Sequence, residues 1–286
     1  MITRDNCLDR MSEDMRLRDY RPKTQQAYLW GVRQLVTWLD REPALWTEED
    51  IRKFFLYLRE EKKAAPSSIN VILQGIRFFL RHTMELDWPV LEIIGVNLPR
   101  KLPVVLSRKE VRAILSSVRA PMRRMALTTI YSLGLRLNEA LRLRAEHIDS
   151  DRLMVWVRDG KGTRDRGVVL PRPLLFRLRR YWKEVRTPAP SSHLFVSPKT
   201  GKPPHSTTLQ KTFSAARKDA AITKDASIHT MRHSYATHLL ESGVTIPTIQ
   251  RLLGHQRMQT TMIYMHVTHP SSERLQATID QLMANL

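Results

Sequence analysis

The chain has 286 residues, 42% of them hydrophobic and 26% charged, which excludes a disordered polymer and leaves room for two packed domains. Its apolar runs, such as Phe54 to Leu58, fall far short of the ~20 residues of a membrane span, and Met1 to Arg10 lacks the apolar stretch of a secretory signal. With one cysteine, Cys7, read as a terminal residue that has no disulfide partner, a cytoplasmic protein is expected; its net charge is +19.

In chain order, three amphipathic patterns fill the first third. Tyr28, Val32, Leu35, Val36 and Leu39 share one helical face, Ile51, Phe54, Phe55 and Leu58 a second, and Ile69, Ile72, Ile76, Phe79 and Leu80 a third. Thr47 ahead of Glu48, Glu49 and Asp50 is a helix start, and Pro66, Ser67 and Ser68 open the next helix. Residues 1–98 therefore read as a small helical bundle. Two prolines and two positive charges between Asn97 and Pro103 make 99–103 an extended linker. Ser107 and Glu110 then form a capping box that announces a second domain, 104–286.

That domain starts with a helix through Met125, Leu127, Ile130 and Leu133 that stops at Gly134. The period then changes. Leu153 to Val157 and Gly167 to Leu170 are β-prone and flank Asp159, Gly160, Lys161 and Gly162, which predicts a β-hairpin with a basic tip. Helical patterns return over Leu174 to Tyr181, Leu209 to Ala221, Ile228 to Leu240, Ile246 to Leu253 and Thr260 to Val267. Leu275, Ile279, Leu282, Met283 and Leu286 predict a short C-terminal amphipathic helix. The expected fold class is mainly α, with one small antiparallel sheet in the second domain.

Up to Leu98 there are 15 Lys and Arg against 15 Asp and Glu, so the whole positive excess lies after Leu98, in the linker and, for the most part, the second domain. A basic surface of this size suits a phosphate backbone or an anionic membrane. The arginines are spread through strands, turns and helices rather than along one amphipathic helix, which favours nucleic acid.

Five segments of that basic domain hold side chains able to attack a phosphodiester without a metal: Arg136, Lys161, the His229 and Arg232 pair, His255 and Tyr264. The first, Gly134-Leu135-Arg136-Leu137-Asn138-Glu139, resembles the first signature box of the tyrosine recombinase, or phage integrase, family. His229-Thr230-Met231-Arg232-His233-Ser234-Tyr235 resembles the second box, completed by Leu252-Leu253-Gly254-His255 and Thr260-Thr261-Met262-Ile263-Tyr264. Met231 stands where a leucine is common, a change that conserves volume. The bundle of residues 1–98 is similar to the family's SAM-like core-binding domain by helix pattern and position alone.

The resemblance implies a site-specific recombinase that cuts and rejoins DNA through a 3′-phosphotyrosyl bond, with Tyr264 as nucleophile and Lys161 as general acid for the leaving 5′ oxygen. Negative charge gathers on the non-bridging oxygens in the transition state, and Arg136 and Arg232 suit it because guanidinium binds phosphate in a bidentate way. His229, three residues before Arg232 on one helix face, is expected to be the proton acceptor or hydrogen-bond partner of the tyrosine and phosphate; His255 adds a further donor. Glu139 is a candidate to orient Arg136, and the other six tyrosines, Tyr235 included, are read as packing residues.

No cofactor is expected. His229 and His233 have the spacing of two zinc ligands on a helix, but the glutamate of a zinc protease, a nearby cysteine and an acidic cluster for magnesium are all missing, so no metal is expected either. The expected partners are double-stranded DNA with inverted-repeat half-sites and further copies of the chain in a tetramer. In that tetramer the C-terminal helix docks into a neighbour, or else it packs on its own domain. A topoisomerase of the same chemistry and a non-catalytic DNA-binding protein are the competing readings; the box matches and the full catalytic set favour the recombinase.

Overall fold

The periodicities of the first third become helices α1 (Cys7–Leu17), α2 (Pro22–Leu39), α3 (Glu48–Glu60), α4 (Pro66–Phe78) and α5 (Val90–Ile93). The structure, a computed structural model, describes residues 3–97, 102–158, 165–186, 188, 190–266 and 280. The chain divides into two compact units, Met1–Arg100 and Lys101–Leu286.

In the first unit α2 and α4 pack backbone to backbone. A Cβ on Gly31 would stand 2.9 Å from Ile72 Cα, and one on Gly75 would stand 2.8 Å from the Tyr28 carbonyl oxygen, so each glycine is needed for the approach. Thr47 and Asp50 form the capping box of α3, and α4 ends in a π-helical turn over Phe79–Thr83. The helix α1 has no counterpart among the expected elements. Cys7, Met11 and Met15, at i, i+4 and i+8, are all fully buried, so Cys7 is a core residue and not the loose terminal one expected. Thr83 donates a 2.7 Å hydrogen bond to Asp14 and ties α1 to the end of α4.

The second unit comprises α6 (Arg108–Ser117), α7 (Pro121–Leu133), α8 (Leu137–Leu141), strands β1 (Ile148–Asp149), β2 (Met154–Val157) and β3 (Arg166–Val169), then α9 (Arg172–Arg180), α10 (Ser206–Asp219), α11 (Ile228–Glu241), α12 (Ile246–Leu253) and α13 (Gln259–Met262). The capping box of Ser107 and Glu110 opens α6 as expected. The backbone N–H of Leu106 donates to Ser234 Oγ at 2.9 Å, so the unit is anchored on α11 from its first residues. The sheet is antiparallel in the order β1-β2-β3, with Val155 opposite Ile148 and Val168. Two residues of β1 carry no alternation to read, which is why that strand escapes the sequence.

Within this unit α11 is central. Met231, Arg232, Ser234, Ala236 and Thr237 are at most 1% exposed, so the helix is enclosed on several sides. One core gathers residues from α6 to Met231; a smaller one joins Ala236, Ile249, Leu253 and Tyr264. Residues 98–101, with the first three of the linker, 159–164 with Lys161 of the expected hairpin tip, and the expected C-terminal helix apart from Asp280 lie outside the described residues.

Candidate active site

Three helix ends and one helix face converge around Arg232. Helix α7 stops at Gly134 (φ +60°) and α12 at Gly254 (φ +66°), both left-handed C-caps that turn their last carbonyls outward. Arg232 of α11 donates to both ends, 2.7 Å to Gly134 O and 2.6 Å to Leu253 O. A buried cation at the negative ends of two helix dipoles is well placed. Burial and the neighbouring Arg136 lower its pKa to about 10, which leaves it charged at neutral pH.

Glu139 supplies the counter-charge. This carboxylate, 4% exposed, accepts from the Arg136 backbone N–H at 2.8 Å and from its guanidinium at 2.7 Å, and from Arg166 at 3.0 and 2.7 Å; Arg232 lies 3.7 Å away. Burial opposes ionisation of Glu139, but the hydrogen bonds and charges of Arg166 and Arg136 win and hold its pKa at about 2. Arg136, the N-cap residue of α8, keeps 41% of its side chain exposed. One guanidinium is thus enclosed and the other reaches solvent from the same carboxylate.

Tyr264, in the 3₁₀ turn Ile263–His266 that follows α13, is 1% exposed. Its hydroxyl lies 3.0 Å from Nδ1 of His233. Burial pushes the phenol pKa above its usual value, although Arg232 and Arg136 oppose the rise, so the hydroxyl stays protonated. His255 stacks on the phenol with ring centroids 6.3 Å apart and an interplanar angle of 20°, while its own Nδ1 is 2.9 Å from Thr261 Oγ1. Burial depresses all three histidines, His233 to about 4 and His255 to about 3, with His229 lowered as well; after burial, Arg232 and Arg136 act on His229 and His255, and His229 and then Arg232 act on His233. All three are neutral at physiological pH.

The structure therefore brings Arg136, Arg232, His229, His255 and Tyr264 into one region, while Lys161 lies outside the described residues. The tyrosine's partner differs from expectation. His229 meets His233 edge-on, ring centroids 4.6 Å apart, and it is His233, one helical turn further along α11, that reaches the phenol. The sequence offered a signal: His233 is i+4 from His229, but that spacing suggests a metal pair before it suggests a base. Among the described residues no group of three or more His, Cys, Asp or Glu side chains is arranged to hold a metal ion.

Arg166 is a second residue that the sequence does not single out. It begins β3, donates to Glu139 and to Leu252 O, and lies where a Cβ on Gly254 would meet its Cδ at 2.8 Å. Tyr235 has the packing role expected of it. Its ring covers Gly134 and meets Tyr131 edge-on, with centroids 6.4 Å apart.

Residues 104–270, which contain every one of these side chains, match the phage integrase family, and residues 7–90 match the N-terminal SAM-like domain of phage integrases. The chain belongs to the phage integrase family of tyrosine recombinases. A tyrosine recombinase XerA of Thermococcus kodakarensis is 34% identical to this recombinase, with 86% of each chain covered. An integrase/recombinase of Escherichia coli is 33% identical, covering 96% of this chain and 93% of that protein. In fold, a lambda integrase solved as a tetramer bound to a Holliday junction superimposes with a TM-score of 0.75 over 92% of this chain and 77% of its own, at 18% identity. The activity is site-specific DNA recombination of the tyrosine type, and the fold is the mainly helical one with a small antiparallel sheet. Among the described residues no helix is long and apolar enough to cross a membrane.

Proposed function

We propose that Tyr264 is the nucleophile of this recombinase and that Arg136, Lys161, His229, Arg232 and His255 serve its attack. The observation that carries the assignment is the enclosure of the Tyr264 hydroxyl among neutral histidines beside two arginines that share one carboxylate. Tyr264 Oη attacks the scissile phosphorus, and the bond to the 5′ oxygen breaks to give a 3′-phosphotyrosyl link. Arg136 and Arg232 offset charge on the non-bridging oxygens. Lys161 protonates the leaving 5′ oxygen, His229 serves the tyrosine and phosphate as proton acceptor or hydrogen-bond partner, and His255 donates to the phosphate. Rejoining reverses each step, which is why neither ATP nor a cofactor enters.

The substrate is double-stranded DNA with inverted-repeat half-sites, in keeping with the placement of the whole +19 excess after Leu98, and the reaction takes place in the cytoplasm. The working assembly is a tetramer in which the segment from Leu275 to Leu286, whose spacing predicts an amphipathic helix, docks into a neighbour. The lambda integrase of like fold, itself a tetramer on a junction, supports the assembly. Because Tyr264 is 1% exposed without DNA, its segment must shift for phosphate to reach it, and tail exchange supplies a way to couple that shift to assembly.

Sequencing DNA captured by Tyr264→Phe yields the site, and a nicked duplex of that sequence then tests the chemistry. The unsubstituted chain should give a covalent adduct on a denaturing gel. Tyr264→Phe should bind the duplex and give none, and an adduct in that variant would move the nucleophile elsewhere. Truncation before Leu275 should leave single-site binding intact and abolish cooperative binding. Unchanged strand exchange in the truncated chain would remove tail docking.

A further inference from the structure

We propose that Arg166 is a positioning residue for strand cleavage: it braces Glu139, and through Glu139 the guanidinium of Arg136, against the end of α12. The role rests on Arg136 being a phosphate ligand. Arg166 opens β3 opposite Val157 of β2, and its side chain is 10% exposed. Nη1 and Nη2 donate to Oε1 and Oε2 of Glu139 at 3.0 and 2.7 Å, and Nε donates to Leu252 O at 3.0 Å. Every nitrogen of this guanidinium is engaged by the protein, so Arg166 serves as a brace rather than as a further phosphate ligand.

Glu139 passes the constraint on. Each of its oxygens also accepts from Arg136, Oε1 from the guanidinium at 2.7 Å and Oε2 from the backbone N–H at 2.8 Å. A fork of two parallel bonds fixes the plane of the carboxylate, so the partly exposed Arg136 guanidinium is aimed by a group that cannot swing. Burial opposes ionisation of Glu139, and among the groups that overcome it Arg166 stands ahead of Arg136. The bond to Leu252 O ties the brace to α12, whose C-cap Gly254 has no side chain where Arg166 passes. These contacts lie among α8, β3 and α12, outside the Tyr264 segment that must shift to admit phosphate. Although β3 follows Lys161 in the chain, the contacts lead to Arg136, so Arg166 serves the charge on the non-bridging oxygens and not the leaving group.

Single-turnover cleavage of the nicked duplex by the unsubstituted chain, Arg166→Lys, Arg136→Gln, Glu139→Gln and the double variant of Arg166→Lys with Glu139→Gln tests this. DNA affinity is measured alongside, and α11 amide exchange shows that each variant is folded under assay conditions. A lysine keeps the charge but has no planar fork, so Arg166→Lys should slow cleavage ~10-fold to ~10²-fold with DNA affinity unchanged. A scissile methylphosphonate has methyl in place of one non-bridging oxygen and lacks the charge that Arg136 offsets; on it Arg166→Lys should come within about threefold of the unsubstituted chain. A 5′-bridging sulfur leaves as a thiolate without a general acid and should leave the defect in place. In the double variant Arg166→Lys should add no more than about threefold to the effect of Glu139→Gln, because the carboxylate it braces is gone.

Three outcomes overturn the proposal. They are Arg166→Lys cleaving the ordinary duplex within about threefold of the unsubstituted chain; a defect that the bridging sulfur relieves or the methylphosphonate does not; and effects that multiply in full in the double variant, the mark of Arg166 meeting phosphate itself. Failure of the Arg136 reading is separable, because Arg136→Gln then shows no defect on the ordinary duplex or keeps its defect on the methylphosphonate.

Discussion

Replacing Glu139 by glutamine removes the charge that three arginines share while keeping the shape of the side chain. The carboxyl pKa is about 2 in the folded protein against an ordinary 4.5. At 1.36 kcal/mol per unit, that difference corresponds to about 3 kcal/mol of stabilisation from ionised Glu139. The folded value is the depressed one, so this stabilisation is fully present above the unfolded pKa of 4.5 and is lost as pH falls through about 2. At neutral pH Glu139→Gln should therefore destabilise the second unit by roughly 3 kcal/mol, since Arg136, Arg166 and Arg232 are left without their anion. The two proteins should converge as the pH approaches 2. Hydrogen exchange of α11 amides through a urea series, at neutral pH and near pH 3, measures the gap. A variant within ~0.5 kcal/mol of the parent at neutral pH, or two stability curves that stay parallel into acid, would refute the account of Glu139 as the site's counter-charge.

Arg232→Lys should lower adduct formation by ~10²-fold or more, because one ammonium cannot bridge Gly134 O and Leu253 O and also offer a fork to phosphate; cleavage kinetics on the nicked duplex check this. Gly134→Ala should lower the melting temperature of the second unit, since φ is +60° and the new Cβ would sit 2.4 Å from the Tyr235 ring; calorimetry reads the shift, and an unchanged transition would contradict it. Gly75→Ala should cost the first unit ~1–3 kcal/mol by forcing α2 away from α4, because the clash is with the Tyr28 backbone rather than a movable side chain; urea unfolding of the full chain followed by α2 amide exchange measures it. DNA affinity should fall steeply with added salt, with a slope that grows with the number of phosphates contacted; a flat dependence would detach the basic second unit from binding.

Much of the fold was legible because local rules and tertiary packing agree. The helix start at Thr47, the capping box of Ser107, the stop at Gly134 and the apolar stripe of α12 each follow from a few neighbouring residues. Helix α1 has a different reason to escape the sequence: its buried face is made of one cysteine and two methionines set among charges, a weak stripe that becomes decisive only once α2 and the π-helical turn Phe79–Thr83 are there to receive it. Strand β1 is too short to show alternation and exists through its pairing with β2.

At the site, residue type and order were enough to nominate Arg136, His229, Arg232, His255 and Tyr264, because phosphoryl transfer needs those side chains and the motifs space them recognisably. Which histidine meets the phenol was beyond the sequence. His229 and His233 lie on one helical face a single turn apart, and only the path of the chain after Gly254, which brings Tyr264 back to α11, selects His233. Arg166 and Glu139 follow the same logic: 27 residues separate them, and only the packing of β3 against the end of α12 makes them partners. The sequence by itself thus nominated the kinds of groups proposed to do the chemistry, a local matter of side-chain identity. The tertiary structure decided who touches whom, since contacts between distant segments depend on how the helices pack and not on any short-range preference.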